Sequence, residues 1–179
     1  MIEFRDGPVL LRALEREHCR ALWAADETDT TQPTEHTRPG LAPENADKWF
    51  EEIQGKQGQS GVDLGVFDLE GNIKGHIQLH GIDWQDRSAE IGIGFAKKSD
   101  RGRGYGTSAL RLVVGYGFDH LGLHRIAANT LSSNKAAVRL FEKCGFVPEG
   151  RQREAFLFGG RWYDRVCYSM LETEFRNTP

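Results

Sequence analysis

Arg101-Gly102-Arg103-Gly104-Tyr105-Gly106-Thr107 is the stretch whose reading decides the fold of this 179-residue chain. Upstream, Ala89-Glu90-Ile91-Gly92-Ile93-Gly94-Phe95 has the alternation of a β-strand. Downstream, residues 107 to 121 place Leu110, Val113, Val114, Gly117 and Leu121 at helical spacing. A glycine-rich turn therefore opens a helix. Glycines at alternate positions let the backbone turn tightly and come close to a ligand, while the amides of a helix's first turn lack intrahelical acceptors and point outward. Such a turn suits an anion, and pyrophosphate in particular.

Spacing separates three phosphate-binding loops. A Walker A loop requires Gly-Lys-Ser/Thr, which is absent. A dinucleotide fingerprint requires Gly-x-Gly-x-x-Gly and an acid at the end of the next strand. Here the glycines stand at 102, 104 and 106, and the next strand, residues 125 to 131, ends without an acid. Arg101-x-x-Gly104-x-Gly106 instead resembles the pyrophosphate loop of the GNAT superfamily of acyl-CoA-dependent N-acyltransferases, whose pattern is Gln/Arg-x-x-Gly-x-Gly/Ala.

The resemblance continues downstream in the family's order. The segment from Leu121 to Ile126 enters the next strand, and residues 134 to 146 look like the family's Asn-led helix ending in Gly145-Phe146. Glu149-Gly150 begins the closing segment, and residues 160 to 164 with 166 to 171 look like its last hairpin. This arrangement is similar to that of the RimJ/RimL-like branch, the ribosomal-protein N-terminal acetyltransferases. Residues 1 to 84 match more loosely, through a first strand at 9 to 14 and a first helix at 18 to 23.

Composition bounds the answer. The length suits one domain, 1 to 179, with room for a core. Apolar residues are 39% and charged residues 27%, the balance of an ordinary globular protein. A net charge of −3 argues against general affinity for nucleic acid or anionic membrane. Cys19, Cys144 and Cys167 are odd in number and widely spaced, so neither a disulfide framework nor a metal site is indicated. The first residues lack a signal-peptide core and no apolar run is long enough for a bilayer, so the expected location is the cytoplasm.

Along the chain, residues 24 to 47 read as a long irregular stretch punctuated by Pro33, Pro39, Gly40 and Pro43. A short amphipathic helix follows at 44 to 53, with Trp49, Phe50 and Ile53 on its apolar side. Residues 62 to 67, 68 to 72 and 73 to 79 read as strand, turn and strand, and a third strand occupies 89 to 95. The order is strand, helices, three antiparallel strands, glycine loop, helix, strand, helix and a final strand pair. That is an α+β layout around one mixed, mostly antiparallel sheet flanked by helices. In GNAT relatives two neighbouring strands splay apart and the pantetheine arm of coenzyme A lies between them, which by resemblance puts the gap beside Ile93, Gly94 and Phe95.

The resemblance implies acetyl-CoA as acyl donor, held through Ile93, Gly94 and Phe95, through Arg101, Gly102, Arg103, Gly104, Tyr105 and Gly106, and by Asn134. Acetyl transfer to an amine needs a neutral amine, a positioned thioester and a home for the departing thiolate. Glu90 stands where related enzymes place a glutamate that deprotonates the amine, and the competing reading is a solvent-facing or Arg87-paired carboxylate. Asn134 also suits a helix N-cap. The tyrosine that many relatives use to protonate the thiolate is replaced here by Phe141, and the serine used in the RimL-like branch by Ala137. Ser132, Ser133 or water are the remaining donors. Cys144 among Phe141, Gly145 and Phe146 reads as a packing residue.

His36, Trp49, His76, His80 and Trp84 fall in segments bordering the acceptor end, as do Tyr163 and Arg161 by resemblance, while Asp26, Glu27, Asp29 and Glu35 offer an acidic loop to a cationic amine. The acceptor is a protein N-terminus or a small amine, and a homodimer is expected among relatives of this kind. A catalytically weak acyl-CoA-binding sensor, or a nucleotide- or flavin-binding protein with a generic phosphate loop, are the alternatives.

Overall fold

A computed structural model describes residues 3–25 and 42–177. The elements run β1 (Phe4–Asp6), β2 (Val9–Ala13), α1 (Arg16–Ala25), α2 (Asn45–Lys56), β3 (Gly61–Phe67), β4 (Ile73–Asp83) and β5 (Ser88–Phe95). They continue with α3 (Tyr105–Asp119), β6 (Arg125–Leu131), α4 (Lys135–Lys143), β7 (Val147–Phe158), β8 (Arg161–Leu171) and α5 (Glu172–Arg176). The strands form one sheet in the order β1-β2-β3-β4-β5-β6-β8-β7. Among these described strands every pairing is antiparallel except β5 with β6. The expected mixed, mostly antiparallel sheet flanked by helices is present.

Strand alternation sorts the side chains onto two faces. Val62, Leu64 and Val66 of β3, Ile77 and Leu79 of β4, Ala89 and Ile91 of β5, and Ile126 and Ala128 of β6 join the larger core with Ala109, Leu110, Val113, Val114 and Phe118 of α3. Phe141 of α4 belongs to the same core. The opposite face carries α1 and α2, which bury Leu14, Cys19, Leu22 and Ile53 with Trp49 and Phe50 packed against them. β3 is buried along its whole length because both faces are covered.

Local chemistry sets the turns. Between β3 and β4, Asp68 Oδ1 accepts from the backbone amides of Glu70 at 3.0 Å and Asn72 at 2.8 Å, closing an Asx-type turn. The α4 helix begins with Asn134 Oδ1 accepting from Ala137 N at 3.1 Å. It ends with Gly145 at φ 88° and Phe146 N returning to Phe141 O at 3.0 Å, a glycine C-cap.

Several boundaries differ from the sequence reading. The α3 helix begins at Tyr105, two residues inside the expected loop, because left-handed Gly104 serves as its N-cap. The closing hairpin is longer than expected, β7 running from Val147 and turning through Gly159 and Gly160. The short strand β1 and helix α5 carry too few residues for periodicity to reveal.

Candidate active site at the fork of the sheet

Among the described residues β5 and β6 form the one parallel ladder, and it is short. β5 and β6 pair over Ser88–Arg125, Ala89–Ile126 and Glu90–Ala127. β6 then continues against β8 as far as Leu131–Arg165, while Ile91 to Phe95 keep β4 on one side alone. A fork therefore opens after Glu90 and Ala127. The backbone groups of Ile93, Gly94 and Phe95 on that open edge lack a strand partner, and an extended ligand chain with amide groups can bond to them as a further strand would.

At the far end of this edge, a short 3-10 turn, Lys98–Asp100, leads into the glycine loop. Gly102 and Gly104 adopt φ 75° and 88°, the left-handed region where an L side chain is strained. Ser108 N is the first amide with an intrahelical acceptor, Gly104 O at 3.1 Å. The amides of Tyr105, Gly106 and Thr107 are thus left for an outside acceptor, reinforced by the positive end of the α3 dipole. A Cβ on Gly106 would come within 3.3 Å of Leu140 and 3.6 Å of Phe95, so α3, α4 and β5 converge where the loop meets the fork. Arg101 and Arg103 are exposed beside it. Residues 93 to 95 therefore form an open strand edge that leads into the loop of residues 101 to 106.

Glu90 lies at the closed end of the track, half-buried. Because Ala89 and Ile91 face α3, Glu90 faces the α1–α2 side, with His80 as its β4 neighbour. Arg87 is not its partner: Arg87 donates to Gly122 O at 2.8 Å and pairs with Glu172 at 3.2 Å. Among the described residues Glu90 makes no ion pair. The same face continues through Gln78 and His76, whose side chains lie over Gly92 and Gly94 so closely that a Cβ there would meet them at 3.0 and 3.2 Å. His76 packs edge-on against Trp49 at 5.1 Å, tying β4 to α2. Trp84 is 51% exposed and its Nε1 donates to Gln59 O at 2.7 Å, which is a structural contact. Tyr163 is half-buried and Arg161 exposed near the hairpin turn. His36, Asp26, Glu27, Asp29 and Glu35 lie outside the described residues.

Asn134 is exposed at the mouth of the fork, its Oδ1 committed to capping α4 and its Nδ2 free of that bond. Phe141 is 3% exposed, its ring 5.5 Å from Phe146 and 5.8 Å from Tyr168. Cys144 is half-buried and burial pushes its thiol pKa up, away from the thiolate a nucleophile requires. Ser132 and Ser133 sit in the loop before α4.

Among the buried polar residues that were not singled out from sequence are Asp63 and Thr130. Asp63, 5% exposed on β3, faces the α1–α2 side, and burial raises its carboxyl to about 6. Gln57 fixes its backbone, Oε1 accepting from Asp63 N at 2.9 Å and Nε2 donating to Asp63 O at 3.3 Å. Thr130, 6% exposed on β6, lies beyond the fork. A polar residue inside an otherwise apolar strand, as in Val62-Asp63-Leu64, was the available signal.

The model of the acetyltransferase (GNAT) domain matches residues 9–147. The chain is 34% identical over 116 residues to YdaF of Bacillus subtilis, named provisionally as a ribosomal N-acetyltransferase, covering 65% of this chain and 62% of that protein. It is 34% identical over 112 residues to the spermidine N(1)-acetyltransferase of Vibrio cholerae, covering 63% and 64%. These alignments span less than two thirds of either relative. A crystal structure of the spermidine N-acetyltransferase from Vibrio cholerae in complex with CoA and spermine superposes with a TM-score of 0.83 at 26% identity, covering 96% of this chain and 100% of that one. A dodecameric structure of that enzyme gives 0.77 at 26%, covering 96% and 98%. With its sheet, its forked strands and its glycine loop all in the family's order, the chain belongs to the GNAT acetyltransferase family.

Proposed function

We propose that this chain, as one domain in the cytoplasm, transfers acetyl from acetyl-CoA directly to a primary amine. The observation that carries this is the unbroken track from the fork at Glu90–Ala127, along the open edge of Ile93 to Phe95, to the free amides of Tyr105, Gly106 and Thr107. The track matches an elongated thiol cofactor whose amide-bearing arm ends in pyrophosphate. Gly102 and Gly104 give the backbone its turn, Arg101 and Arg103 add positive charge, and Asn134 Nδ2 offers a donor at the mouth. When bound, acetyl-CoA supplies the activated acyl group.

Glu90 is the general base in this reading. Placed at the closed end of the track on the α1–α2 face, it takes the proton that the amine nitrogen must lose as its lone pair attacks the carbonyl carbon. Direct attack fits the raised Cys144 thiol, which argues against Cys144 as the nucleophile of a covalent acyl-enzyme. A small amine is favoured over a protein N-terminus by the spermidine acetyltransferases among the relatives, and both belong in the test. Thiol release from acetyl-CoA is measured with spermidine, monoamines and peptides bearing free N-termini. Turnover on any of them supports transfer, and the pattern of KM values assigns the acceptor.

One observation favours a second reading, an acyl-CoA sensor. Phe141 and Ala137 stand where the family's proton donors are found, so coenzyme A binding without turnover on any amine would assign it. We also propose a homodimer through the exposed edge strand β7 and the cross-strand pair Leu157–Trp162, which are 53% and 57% exposed. The chain has no helix, among the described residues, long and apolar enough to cross a membrane.

A further inference from the structure

We propose that Lys74 is a positioning residue for cofactor binding, its ammonium holding the Lys98–Asp100 turn, and with it the glycine loop, against the turn between β3 and β4. The inference rests on the transfer reading above and adds to its site the device that fixes the loop. Lys74 Nζ lies 3.1 Å from Asp68 Oδ2 and 3.8 Å from Asp100 Oδ1. The side chains of Lys74, Asp68 and Asp100 are 20%, 16% and 9% exposed, so the cluster is largely withdrawn from water, where charge pairs are screened least. Lys74 holds the same region through its backbone, its carbonyl accepting from Ala96 N at 3.3 Å just past the end of β5.

The two ends of this bridge are anchored differently. Asp68 is fixed within its own turn, Oδ1 accepting from the backbone amides of Glu70 and Asn72 and Oδ2 accepting from Asn72 Nδ2 at 3.0 Å. Asp100 closes the 3-10 turn, its amide donating to Lys97 O at 3.2 Å and that of Arg101 donating to Lys98 O at 3.1 Å. Arg101 follows immediately, and left-handed Gly102 and Gly104 carry the chain into α3. Those glycines permit the loop's course without selecting it, because glycine is free to take many others. A buried carboxylate tied through Lys74 to a rigid turn supplies the selection, so the amides of Tyr105, Gly106 and Thr107 are aimed before the cofactor arrives. Asp68 chiefly, then Asp100 and Tyr105 at the start of α3, raise the Lys74 pKa and keep its ammonium charged. Removing that ammonium leaves Asp100 buried without this countercharge, and the turn relaxes toward water.

The test is a double-mutant cycle on Lys74→Met and Asp100→Asn, with Lys74→Arg as the conservative variant. Each is assayed for calorimetric CoA affinity, for KM of acetyl-CoA and of the amine, for kcat and for thermal midpoint. Each single variant is expected to weaken CoA binding and raise the KM of acetyl-CoA roughly tenfold with smaller changes in kcat and in the amine KM, and the double variant to lose no more than the worse single one. Lys74→Arg is expected to recover most of the loss. Asp100→Asn, which keeps the shape of the carboxylate, carries the comparison where Lys74→Met does not fold. A loss in Lys74→Met with CoA affinity unchanged or tighter in Asp100→Asn overturns the proposal by assigning Lys74 a direct phosphate contact. Wild-type CoA affinity in both single variants also overturns it and leaves the transfer reading standing. Equal losses in acetyl-CoA KM, amine KM and kcat, with a lowered thermal midpoint, overturn it by assigning a general structural role. Absence of CoA binding in the wild type removes both readings.

Discussion

Glu90 and Ala127 form the last rung between β5 and β6, and the proposed site is built outward from the point where that ladder stops. Below it the sheet is closed and packed on both faces. Above it β5 has an open edge leading to the glycine loop, so a single interruption of strand pairing creates both the proposed binding track and its closed end.

Gly104 sets the direction of the α3 amides. At φ 88° a Cβ costs roughly 1–2 kcal/mol, and no bulky neighbour blocks it, Pro8 lying 3.9 Å away. Gly104→Ala is therefore expected to weaken CoA binding about tenfold, equivalent to ~1.4 kcal/mol, through backbone misdirection rather than steric exclusion. Titration calorimetry beside the unfolding midpoint checks this, and an unchanged affinity would remove the loop from the site.

Asp63 sets a pH dependence of stability. Burial raises its carboxyl from 3.8 to about 6, so the folded state holds the proton more tightly than the unfolded chain. Its contribution is fully favourable below pH 3.8 and is lost as pH rises through about 6. Asp63→Asn is expected to stabilise the protein at pH 7 to 8 by on the order of 2 kcal/mol and to flatten the pH profile between those limits. Urea unfolding at a series of pH values measures both, and a variant less stable at pH 8 would show that the carboxylate has a cationic partner.

Phe141 tests whether the family's donor position remains part of the site. Its ring is enclosed by Phe146 and Tyr168, so the hydroxyl of Phe141→Tyr would be buried without a partner. Loss of about 1–3 kcal/mol of stability with no gain in kcat is expected. A rise in kcat would instead place the ring's para position at the sulphur.

The hairpin tip bears on assembly. Beyond Leu131–Arg165 the β7–β8 pair projects without support from β6, and a two-stranded ribbon with exposed Leu157 and Trp162 is marginal in water. Trp162→Arg is expected to shift the protein to monomer in light scattering, and an unchanged mass would place any dimer elsewhere.

What could be read in advance divides by range of interaction. The strand through Glu90, the glycine loop and Asn134 were legible because periodicity, turn chemistry and capping act within a few residues. The α3 start was shifted because a left-handed Gly104 is a backbone fact that composition does not mark. The fork was located only by resemblance, since the loss of pairing after Ala127 depends on partners nearly forty positions apart in sequence, as Glu90 and Ala127 are. Asp63 and Thr130 were missed for a related reason: each looks like the polar position of a half-exposed strand until the sheet is covered on both faces.

The most direct measurement is the pH dependence of kcat for wild type and Glu90→Gln on the best acceptor amine, with CoA affinity determined in parallel. The account predicts a fall of at least roughly tenfold in the variant, about 1.4 kcal/mol of barrier, partial recovery at high pH where the free amine is more abundant, and unchanged CoA binding. Wild-type turnover by Glu90→Gln across the pH range would contradict it.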